Sequence, residues 1–363
     1  MGETGKSGCL RNLKKPFRHF GEWLFSFFAI SVSAFFRTFA AVKTIYYPAE
    51  TLPEGRYAAT VGFFDGVHLG HRYVLERLRA LAAQRGLQTM VITFERHPRQ
   101  VLHSDWQPQL LTTLDEKTFF VAETGIDVLV VLRFSPTMAA LSARQFMQQV
   151  LKTSLGVQLL LTGYDNRFGH DRTEGFEQYA QYGRELGIDV VCGEPQDVDS
   201  LRVSSSAVRR LLSEGRVAEA AHCLGRPYHL SGRVVHGEQI GRKLGFPTAN
   251  VELDDPCRLV PAPGVYAVTV KVFSENSESS DSYLGVMNIG TRPTFDGHHQ
   301  TLEVNILDFI GEIYGRRLTI GFVDRLRGEQ HFSSPEALVT QMQHDVAEAR
   351  SIFSERAKQK EQL

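Results

Sequence analysis

Two histidines lie three residues apart where a glycine-rich stretch meets a helical pattern. The stretch VGFFDGVHLGH, residues 61–71, contains His68 and His71 between an apolar run and an amphipathic segment. Both imidazoles can face the helix N-terminus, where free N–H groups and the helix dipole favour phosphate. The pattern predicts transfer at a phosphate, where positioning and charge stabilisation carry the catalysis. Glycines that permit close backbone approach in this stretch are Gly62, Gly66 and Gly70.

Two later segments carry polar groups suited to the same chemistry. GYDNRFG is a glycine-rich loop after an apolar run, and VSSSAVR has three serines at a helix start. Serines in such a position can simply cap the helix, as the two histidines can at theirs. Serines, free amides and an arginine together also suit a pyrophosphate. The residues concerned are Asp165, Asn166 and Arg167 in the loop, and Ser204, Ser205, Ser206 and Arg209 at the helix.

A second glycine-rich stretch occurs in the other half of the chain. Residues 232–251 read GRVVHGEQIGRKLGFPTANV, with Thr248 and Asn250 after the glycines. A hydroxyl and a side-chain carbonyl oxygen are hard ligands suited to Mg²⁺ bridging ATP phosphates. On pattern alone, the stretch is also an ordinary glycine-rich turn between strands. Further on, in TLEVNILDF, strand alternation places Glu303 opposite the apolar face, where a glutamate is ordinarily solvent-exposed.

From Tyr57 onwards, continuous apolar runs alternate with helical patterns. The runs YAATVGFF, LQTMVITF, DVLVVLRF, VQLLLTG and IDVVCG predict strands. The segments between them predict helices, the first closed by Gly86 and another covering residues 142–155. Continuous apolar strands separated by helices indicate a parallel sheet covered on both faces. Ligands of such sheets bind beyond the carboxyl ends of the strands, and the loop with the two histidines follows such an end.

After Leu230 the rhythm changes to short strand-like runs separated by turns. The runs GVYAVTVKVF, YLGVMNIG, TLEVNILDF and RRLTIGFVDRL predict strands, with the polar loop SENSESSDS between the first two. The next helix follows Ser334, which can cap it, with Pro335 in its first turn. This half is therefore predicted to be a small antiparallel β-barrel with a C-terminal helix. The predicted domains are residues 42–223 and residues 224–363.

Composition and charge limit the function classes. The chain has 363 residues, 42% of them hydrophobic, which is enough for two buried cores. Its net charge of −1 argues against a general nucleic-acid binder. The cysteines lie far apart and form no C-x-x-C pair, so neither a zinc site nor a disulfide framework is indicated, and a cytoplasmic location is expected.

The first 41 residues are expected to lie outside the folded core. Basic residues precede the uncharged run WLFSFFAISVSAFF, which is shorter than the roughly 20 residues of a membrane-spanning helix. The run is only in part like a signal peptide, because Arg37 follows it directly. No stable membrane association is therefore expected. The segment GETGKS lacks the spacing and the preceding strand of a phosphate-binding P-loop.

Taken together and in this order, the motifs resemble those of one family. GFFDGVHLGH, TFERHP, LTTLDEK, GYDNRFG and VSSSAVR are similar to the adenylyltransferase half of the prokaryotic bifunctional riboflavin kinase/FAD synthetases, and LGFPTAN is similar to their kinase signature. The similarity extends from roughly Ala59 to Arg350. It implies an α/β Rossmann-like nucleotidyltransferase domain followed by a riboflavin kinase barrel. The implied reactions convert riboflavin to FMN and FMN to FAD, each with ATP and Mg²⁺.

The resemblance also implies roles for particular residues. His68 and His71 would hold the ATP phosphates and the transition state at the α-phosphate. Arg209 and the serines beside it would receive the leaving pyrophosphate, and Asp165 would help to hold the FMN phosphate and a metal. Glu303 would be the base that accepts the proton of the riboflavin 5′-hydroxyl.

Binding residues follow from the same resemblance. Mg²⁺ would be bound by Thr248 and Asn250, and the flavin by Asp165, Asn166, Arg167 and Phe168. The ATP-binding residues would be Gly62, Phe64, Asp65, Gly66, His68, Gly70, His71, Ser204, Ser205, Ser206 and Arg209 in the first domain, and Gly237, Gly241, Lys243, Gly245, Thr248 and Asn250 in the second.

Single positions depart from the family pattern, and two other functions deserve weighing. Ser206 stands where threonine is usual, Arg96 replaces a proline, Asn166 replaces an aromatic residue or histidine, and Met287 stands where alanine is common.

One alternative function is a monofunctional adenylyl- or cytidylyltransferase whose barrel has an unrelated purpose; LGFPTAN together with Glu303 speaks against it. The other is a non-catalytic flavin sensor, and the complete set of predicted catalytic residues speaks against that.

Overall fold

The computed structural model describes most of the chain beyond the predicted N-terminal extension. The described residues are 42–50, 54–102, 105, 107–163, 167–170, 173–193, 197–198, 201–237, 241, 245–274, 279–294 and 297–361. The extension over residues 1–41 lies outside them. Within these ranges, no helix combines the length and the apolar character needed to span a bilayer.

The first half contains a six-stranded parallel sheet with the order β1-β4-β3-β2-β5-β6. Its strands are β1 (Lys43–Tyr47), β2 (Tyr57–Val61), β3 (Gln88–Phe94), β4 (Val128–Leu132), β5 (Val157–Thr162) and β6 (Asp189–Cys192). The helices among them are α1 (Leu69–Arg85), α2 (Pro98–Leu102), α3 (Leu114–Ala122), α4 (Pro136–Ala139), α5 (Ala143–Phe146) and α6 (Phe176–Leu186). The predicted α/β class is confirmed.

Two details of this half differ from the sequence-based expectation. Strand β1 was not predicted, because it lies at the sheet edge beside β4 and most of its side chains are only half-buried. Its sequence therefore lacks the continuous apolar run of a central strand. The helix predicted over residues 142–155 begins as α5 and continues as a π-helix over Met147–Ser154.

The sheet separates two hydrophobic cores. Every residue of β2 and β4 is buried, and successive side chains of a strand point to opposite faces. In β2, Ala59 and Val61 belong to the core covered by the π-helix and α6, whereas Ala58 belongs to the core covered by α1 and α3. Burial on both faces fixes the register of the sheet and hence the position of the loop after β2.

The second half is a closed antiparallel barrel with the order β10-β13-β12-β11-β14-β9. Before it come the short pair β7 (Asp197–Val198) and β8 (Leu201–Arg202) and the helices α7 (Ser205–Ser213) and α8 (Val217–Leu224). The barrel strands are β9 (His229–Val235), β10 (Ala249–Leu253), β11 (Gly264–Phe273), β12 (Ser280–Thr294), β13 (Gly297–Ile306) and β14 (Arg317–Arg327). The predicted barrel is confirmed, although β9 and β10 were not among the predicted runs.

The helices that precede the barrel strands and the helix that follows them both pack against the barrel. Helix α9 (Pro335–Glu361) starts after Ser334, whose Oγ accepts a hydrogen bond from the Ala337 N–H at 3.2 Å, as the cap prediction requires. Helices α7 and α8 share one hydrophobic core with the barrel, in which Leu212 and Val217 join Tyr228 and Phe322. The two halves of the chain are thus joined by packed elements.

Candidate active sites

The first site lies at the carboxyl end of β2, in the loop that leads to α1. Three residues of this loop have left-handed backbone angles, with φ of 53° at Phe64, 81° at Gly66 and 38° at Val67. Such angles are unfavourable for residues that carry a Cβ, and for valine most of all, so other contacts must hold the loop. A side chain at Gly66 would also meet Leu111, because an added Cβ would lie 2.9 Å from its Cδ1.

His68 and His71 lie together at the start of α1. His68 is the N-cap, and its Nδ1 accepts a hydrogen bond from the His71 N–H at 3.2 Å. The two rings stack with their centroids 3.6 Å apart. Because Nδ1 is the acceptor, the proton of a neutral His68 ring lies on Nε2, where it can be donated to a phosphate oxygen. Helix capping and phosphate binding are therefore compatible roles for this residue.

Both imidazoles are neutral near pH 7 in the absence of ligand. Burial, followed by the nearby cations of Arg226 and Arg209, lowers the pKa of His68 to about 3. Burial also holds the pKa of His71 well below its ordinary value, with His68 and Lys117 acting in the same direction. Bound phosphates would oppose both shifts. The Nδ1 atom of His71 is buried and has no hydrogen-bond partner among the described residues, so it retains capacity for a ligand.

Asp65 connects this loop to the start of α7. Its carboxylate accepts hydrogen bonds from the backbone N–H groups of Leu111 and Thr112 at 3.0 Å, and it forms an ion pair with Arg209. Its backbone carbonyl accepts a hydrogen bond from Ser205 Oγ at 2.9 Å. The structure therefore brings the predicted serine–arginine segment beside the predicted histidine loop. A direct contact between Asp65 and ATP stays a prediction.

The remaining residues at the start of α7 and α1 pack closely. Ser204 is the N-cap of α7, with its Oγ accepting from the Ala207 N–H at 3.2 Å, and Ser206 is exposed. A Cβ at Gly70 would lie 3.2 Å from the carbonyl oxygen of Val203, so the two helix starts approach each other at this glycine. Two helix N-termini, with their free N–H groups, thus lie near one another.

Lys117 was not predicted as a site residue, although it belongs to the LTTLDEK motif. Its side chain is buried, with Nζ 3.3 Å from Thr93 Oγ1 and 4.0 Å above the centroid of the Phe63 ring. Burial lowers its pKa to about 8, against the attraction of Asp65. His97, from the TFERHP motif, packs edge-on against Phe63 with ring centroids 4.7 Å apart. The structure thus collects residues of three separate motifs around one loop.

The predicted flavin loop is described only in part. Asp165 and Asn166 lie outside the described residues. Arg167 is exposed, and its Nη1 donates to the Thr173 carbonyl oxygen at 3.0 Å. Phe168 stacks on Tyr179, with ring centroids 4.1 Å apart, and packs against the sheet core. Flavin contacts of these residues stay predictions.

The second site is a cavity of about 420 Å³ between the barrel and α9. Glu303 lines this cavity, half-buried on β13. It pairs in register with Asn250 of β10 on one side and with Asn288 of β12 on the other. The alternate residues of β13, which include Val304, are buried in the barrel core. The predicted alternation is therefore confirmed, and Glu303 faces a cavity instead of open solvent.

The glycine-rich stretch packs closely against the predicted metal ligands. A Cβ at Gly241 would lie 3.2 Å from Thr248 Oγ1, and one at Gly237 would overlap the side-chain amide of Asn250. Thr248, Asn250 and Gly241 line the same cavity as Glu303. Gly245 is exposed with a φ of 83°, and Lys243 lies outside the described residues.

Residues that the sequence did not single out complete this cavity. Asn305 lies two positions beyond Glu303, and its Nδ2 donates to the Pro247 carbonyl oxygen at 2.8 Å, which ties the segment before Thr248 to β13. Helix α9 adds a largely apolar wall, and Asp345 on that helix pairs with Arg327 at 2.8 Å, which holds the helix against β14. The apolar side chains of this wall are Leu338, Met342 and Val346, and Phe332, which precedes the helix, also lines the cavity.

Two family models match the chain along its length. One, described as FAD synthetase, matches residues 52–207, and one described as riboflavin kinase matches residues 224–353. The first range contains the loop with His68 and His71, and the second contains the cavity with Glu303. The family models and the fold therefore define an enzyme class with an FAD synthetase half built on the parallel sheet and a riboflavin kinase half built on the barrel.

Curated proteins resemble the chain over both halves. The bifunctional riboflavin kinase/FMN adenylyltransferase of Escherichia coli (strain K12) is 40% identical over 301 residues, which are 83% of this chain and 94% of that protein. The protein of the same name from Pseudomonas fluorescens is 41% identical over 302 residues, with the same coverage. The chain belongs to the family of bifunctional riboflavin kinase/FMN adenylyltransferases.

A solved structure shares the arrangement of both halves. It is a crystal structure described as a macrolide-efflux protein from Streptococcus pneumoniae, with a TM-score of 0.77 and 30% sequence identity. The match covers 85% of this chain and 99% of that one. This likeness extends over the sheet and the barrel together, so the two-domain arrangement is not particular to this chain.

Proposed function

We propose that the two activities of the family occupy the two sites described above. The chain is a bifunctional enzyme of flavin biosynthesis, which phosphorylates riboflavin to FMN and adenylylates FMN to FAD, with ATP as the co-substrate of both steps. The assignment of the steps to sites rests on one observation above all. Glu303 lies between two asparagines in a cavity that also contains the Thr248 hydroxyl. Phosphorylation of an alcohol uses such a combination, namely a carboxylate that accepts a proton and oxygen ligands for the metal that is bound with ATP.

In the barrel, Glu303 acts as the general base. It accepts the proton of the riboflavin 5′-hydroxyl while that oxygen forms a bond to the γ-phosphorus of ATP, and the bond from this phosphorus to the β–γ bridging oxygen breaks to release ADP. The apolar wall from α9 suits the ring system of the flavin. The glycine stretch lets phosphates approach the backbone.

The oxygen donors of the cavity fit Mg²⁺. The Thr248 hydroxyl and the Asn250 side-chain carbonyl are hard ligands of the kind that Mg²⁺ accepts together with nucleotide phosphates. Mg²⁺ bound with ATP supplies positive charge that stabilises the phosphates during transfer. The chain's own contribution is to hold Asn250 on β10 beside the base on the adjacent β13, with Thr248 directly before β10 in the same cavity.

At the end of β2, an oxygen of the FMN phosphate attacks the α-phosphorus of ATP, and the bond to the leaving pyrophosphate breaks. The attacking phosphate is already ionised near pH 7, so no general base is needed. His68 donates its Nε2–H to the α-phosphate, and His71 contributes a second polar group beside it. The N-terminus of α7, with its serines and Arg209, receives the pyrophosphate. Residues of the 165–168 loop are assigned to the FMN, and the cytoplasm is the proposed location.

Incubation of the purified protein with riboflavin, ATP and Mg²⁺, followed by chromatography, tests the proposal. The expected products are FMN first and FAD later. Flavin binding without any turnover would contradict the proposal and indicate a sensor. Riboflavin left unchanged, together with conversion of FMN to FAD in a parallel incubation supplied with FMN, would instead indicate a monofunctional transferase.

Deletion of residues 1–41 is expected to leave both reactions intact, because every assigned site residue lies beyond them. The truncated chain should begin at Val42, which is buried in the core on the α1 side of the sheet. A deletion extended through Tyr47 is the matched control, since it removes β1 from the sheet and should destabilise the domain. The measurement is the rate of each reaction at equal protein concentration. Loss of either reaction in a folded chain that starts at Val42 would contradict the prediction.

A further inference from the structure

We infer that Arg226 is a positioning residue for the adenylyl transfer site, although it lies in the riboflavin kinase part of the chain. Arg226 follows α8 and precedes β9, within residues 224–353 that match the riboflavin kinase model and beyond residues 52–207 that match the FAD synthetase model. The inference rests on the proposed function of the loop after β2. It assigns to the barrel half a residue that the transfer reaction of the other half requires.

Among the described residues, the Arg226 guanidinium donates to the strained loop and, from Nη1 at 3.2 Å, to the carbonyl oxygen of Leu224 at the end of α8. Its Nη2 donates to the Gly66 carbonyl oxygen at 2.6 Å, and its Nη1 donates to the Val67 carbonyl oxygen at 3.3 Å. Both residues have left-handed φ, and Val67 immediately precedes His68. One guanidinium therefore binds two successive peptide groups at the point where the backbone is least able to hold its own shape.

These bonds determine the direction of the backbone at the histidines. In a trans peptide the C=O and the N–H point in opposite directions. Fixing the Val67 carbonyl towards Arg226 therefore turns the His68 N–H to the opposite side of the loop. Since His68 is also the N-cap of α1, the same contact sets where the helix begins and how the two stacked imidazoles are oriented.

The Arg226 side chain is buried beside the loop and an aromatic ring of α3. The side chain is 6% exposed, and its Cζ lies 3.5 Å from the centroid of the Phe120 ring. Among the described residues it forms no ion pair with a carboxylate, and burial lowers its pKa to about 9. A buried cation is costly, and the carbonyl bonds, the aromatic face and the attraction of the nearby Glu123 and Glu116 carboxylates compensate it.

A second contact connects the same loop to the barrel. Asp65 binds the backbone N–H of Leu111, and the neighbouring Leu110 exchanges backbone hydrogen bonds with Cys257 at 2.8 Å and with Leu259 at 2.9 Å. The loop is thus held by the barrel half both at Asp65, through this segment, and at Gly66 and Val67, through Arg226. Of these contacts, only that of Arg226 reaches the peptide adjoining His68 directly.

The test compares Arg226→Met, Arg226→Lys and Arg258→Met in the full-length chain, with kcat and KM measured for both reactions in each sample. Arg258 is a matched control, because it is an equally buried arginine of the barrel half that also contacts the first half of the chain. It forms an ion pair with Glu116 and donates to the His229 carbonyl oxygen. Riboflavin phosphorylation in each sample reports whether the barrel is folded. Wild-type protein in the same assay reports whether the site makes FAD at all, so a failure of the proposed function is distinguishable.

Arg226→Met is expected to lower kcat for FAD formation by about 10- to 100-fold, the range that a displacement near 1 Å produces, with KM for FMN much less affected. Arg226→Lys should recover part of the loss, because an ammonium can still bind one carbonyl. Arg258→Met should retain near wild-type kcat for FAD formation. An unchanged kcat in Arg226→Met, or an equal loss in Arg258→Met, would overturn the inference. If Arg226→Met also loses riboflavin phosphorylation, its barrel is misfolded and Arg226→Lys becomes the test variant. A wild-type kcat for FAD formation in Arg226→Lys would then overturn the inference.

Discussion

Glu303→Gln is expected to slow riboflavin phosphorylation by about 10²–10⁴-fold, the usual cost of removing a general base. Glutamine keeps the shape of the side chain and its ability to hydrogen-bond, but it cannot accept the proton of the 5′-hydroxyl. The cavity and the barrel should remain intact, because Glu303 lies on the outer face of β13, away from the buried residues of the core. The measurement is the initial rate of FMN formation from riboflavin and saturating ATP.

Glu252→Gln provides the matched control for this variant. Glu252 is exposed on β10 of the same barrel, so the same chemical change is made outside the cavity. It should phosphorylate riboflavin at the wild-type rate. A rate in Glu303→Gln within a few-fold of wild type would contradict the assignment of Glu303 as the base.

His71→Ala is expected to reduce FAD formation from FMN by about 10²–10³-fold, the cost of removing one preorganised polar group at a developing charge. The variant also removes the ring that stacks on His68 at 3.6 Å, so the second histidine loses support. Phosphorylation of riboflavin should continue, and FMN should accumulate. The measurement is a time course of FMN and FAD from riboflavin.

His344→Ala is a suitable control for the loss of a histidine. His344 is exposed on α9, where its nearest carboxylate partner, Glu348, lies 3.9 Å away. This variant should produce FMN and FAD at wild-type rates. FAD formation near the wild-type rate in His71→Ala would contradict the role of His71, and an equal loss of both reactions would point to a folding defect.

The sequence alone predicts those features of the fold and of the candidate sites that depend on a few neighbouring residues. The strand–glycine loop–helix order around His68 and the alternation that places Glu303 off the core are properties of a few neighbouring residues. Continuous apolar runs predict the central strands β2 to β5, which are buried on both faces, and an apolar run also indicates β6 although it lies at the sheet edge. Cap residues such as Ser334 and Gly86 likewise act on adjacent turns.

Features that depend on distant residues were not predictable in this way. Arg226 binds Gly66 across 160 positions of sequence, and no local pattern indicates such a contact. Lys117 is recognisable only as part of a motif, since its position over Phe63 depends on how α3 packs on the sheet. The apolar wall of the barrel cavity, including Met342, comes from α9, and no local pattern in its sequence indicates that it lines a cavity. Strand β1, at the sheet edge, is mostly half-buried, so its sequence lacks the continuous apolar run by which a strand is recognised.

The central claim is that two separate sites act in succession, and FAD formation by Glu303→Gln tests it most directly. The purified variant is supplied with ATP and Mg²⁺, once with riboflavin and once with FMN, and FAD is quantified by chromatography. The account predicts almost no FAD from riboflavin and near wild-type FAD formation from FMN, because the base lies in the barrel and the FMN phosphate needs no deprotonation by it. Failure of FMN to restore FAD formation in the folded variant would contradict the claim.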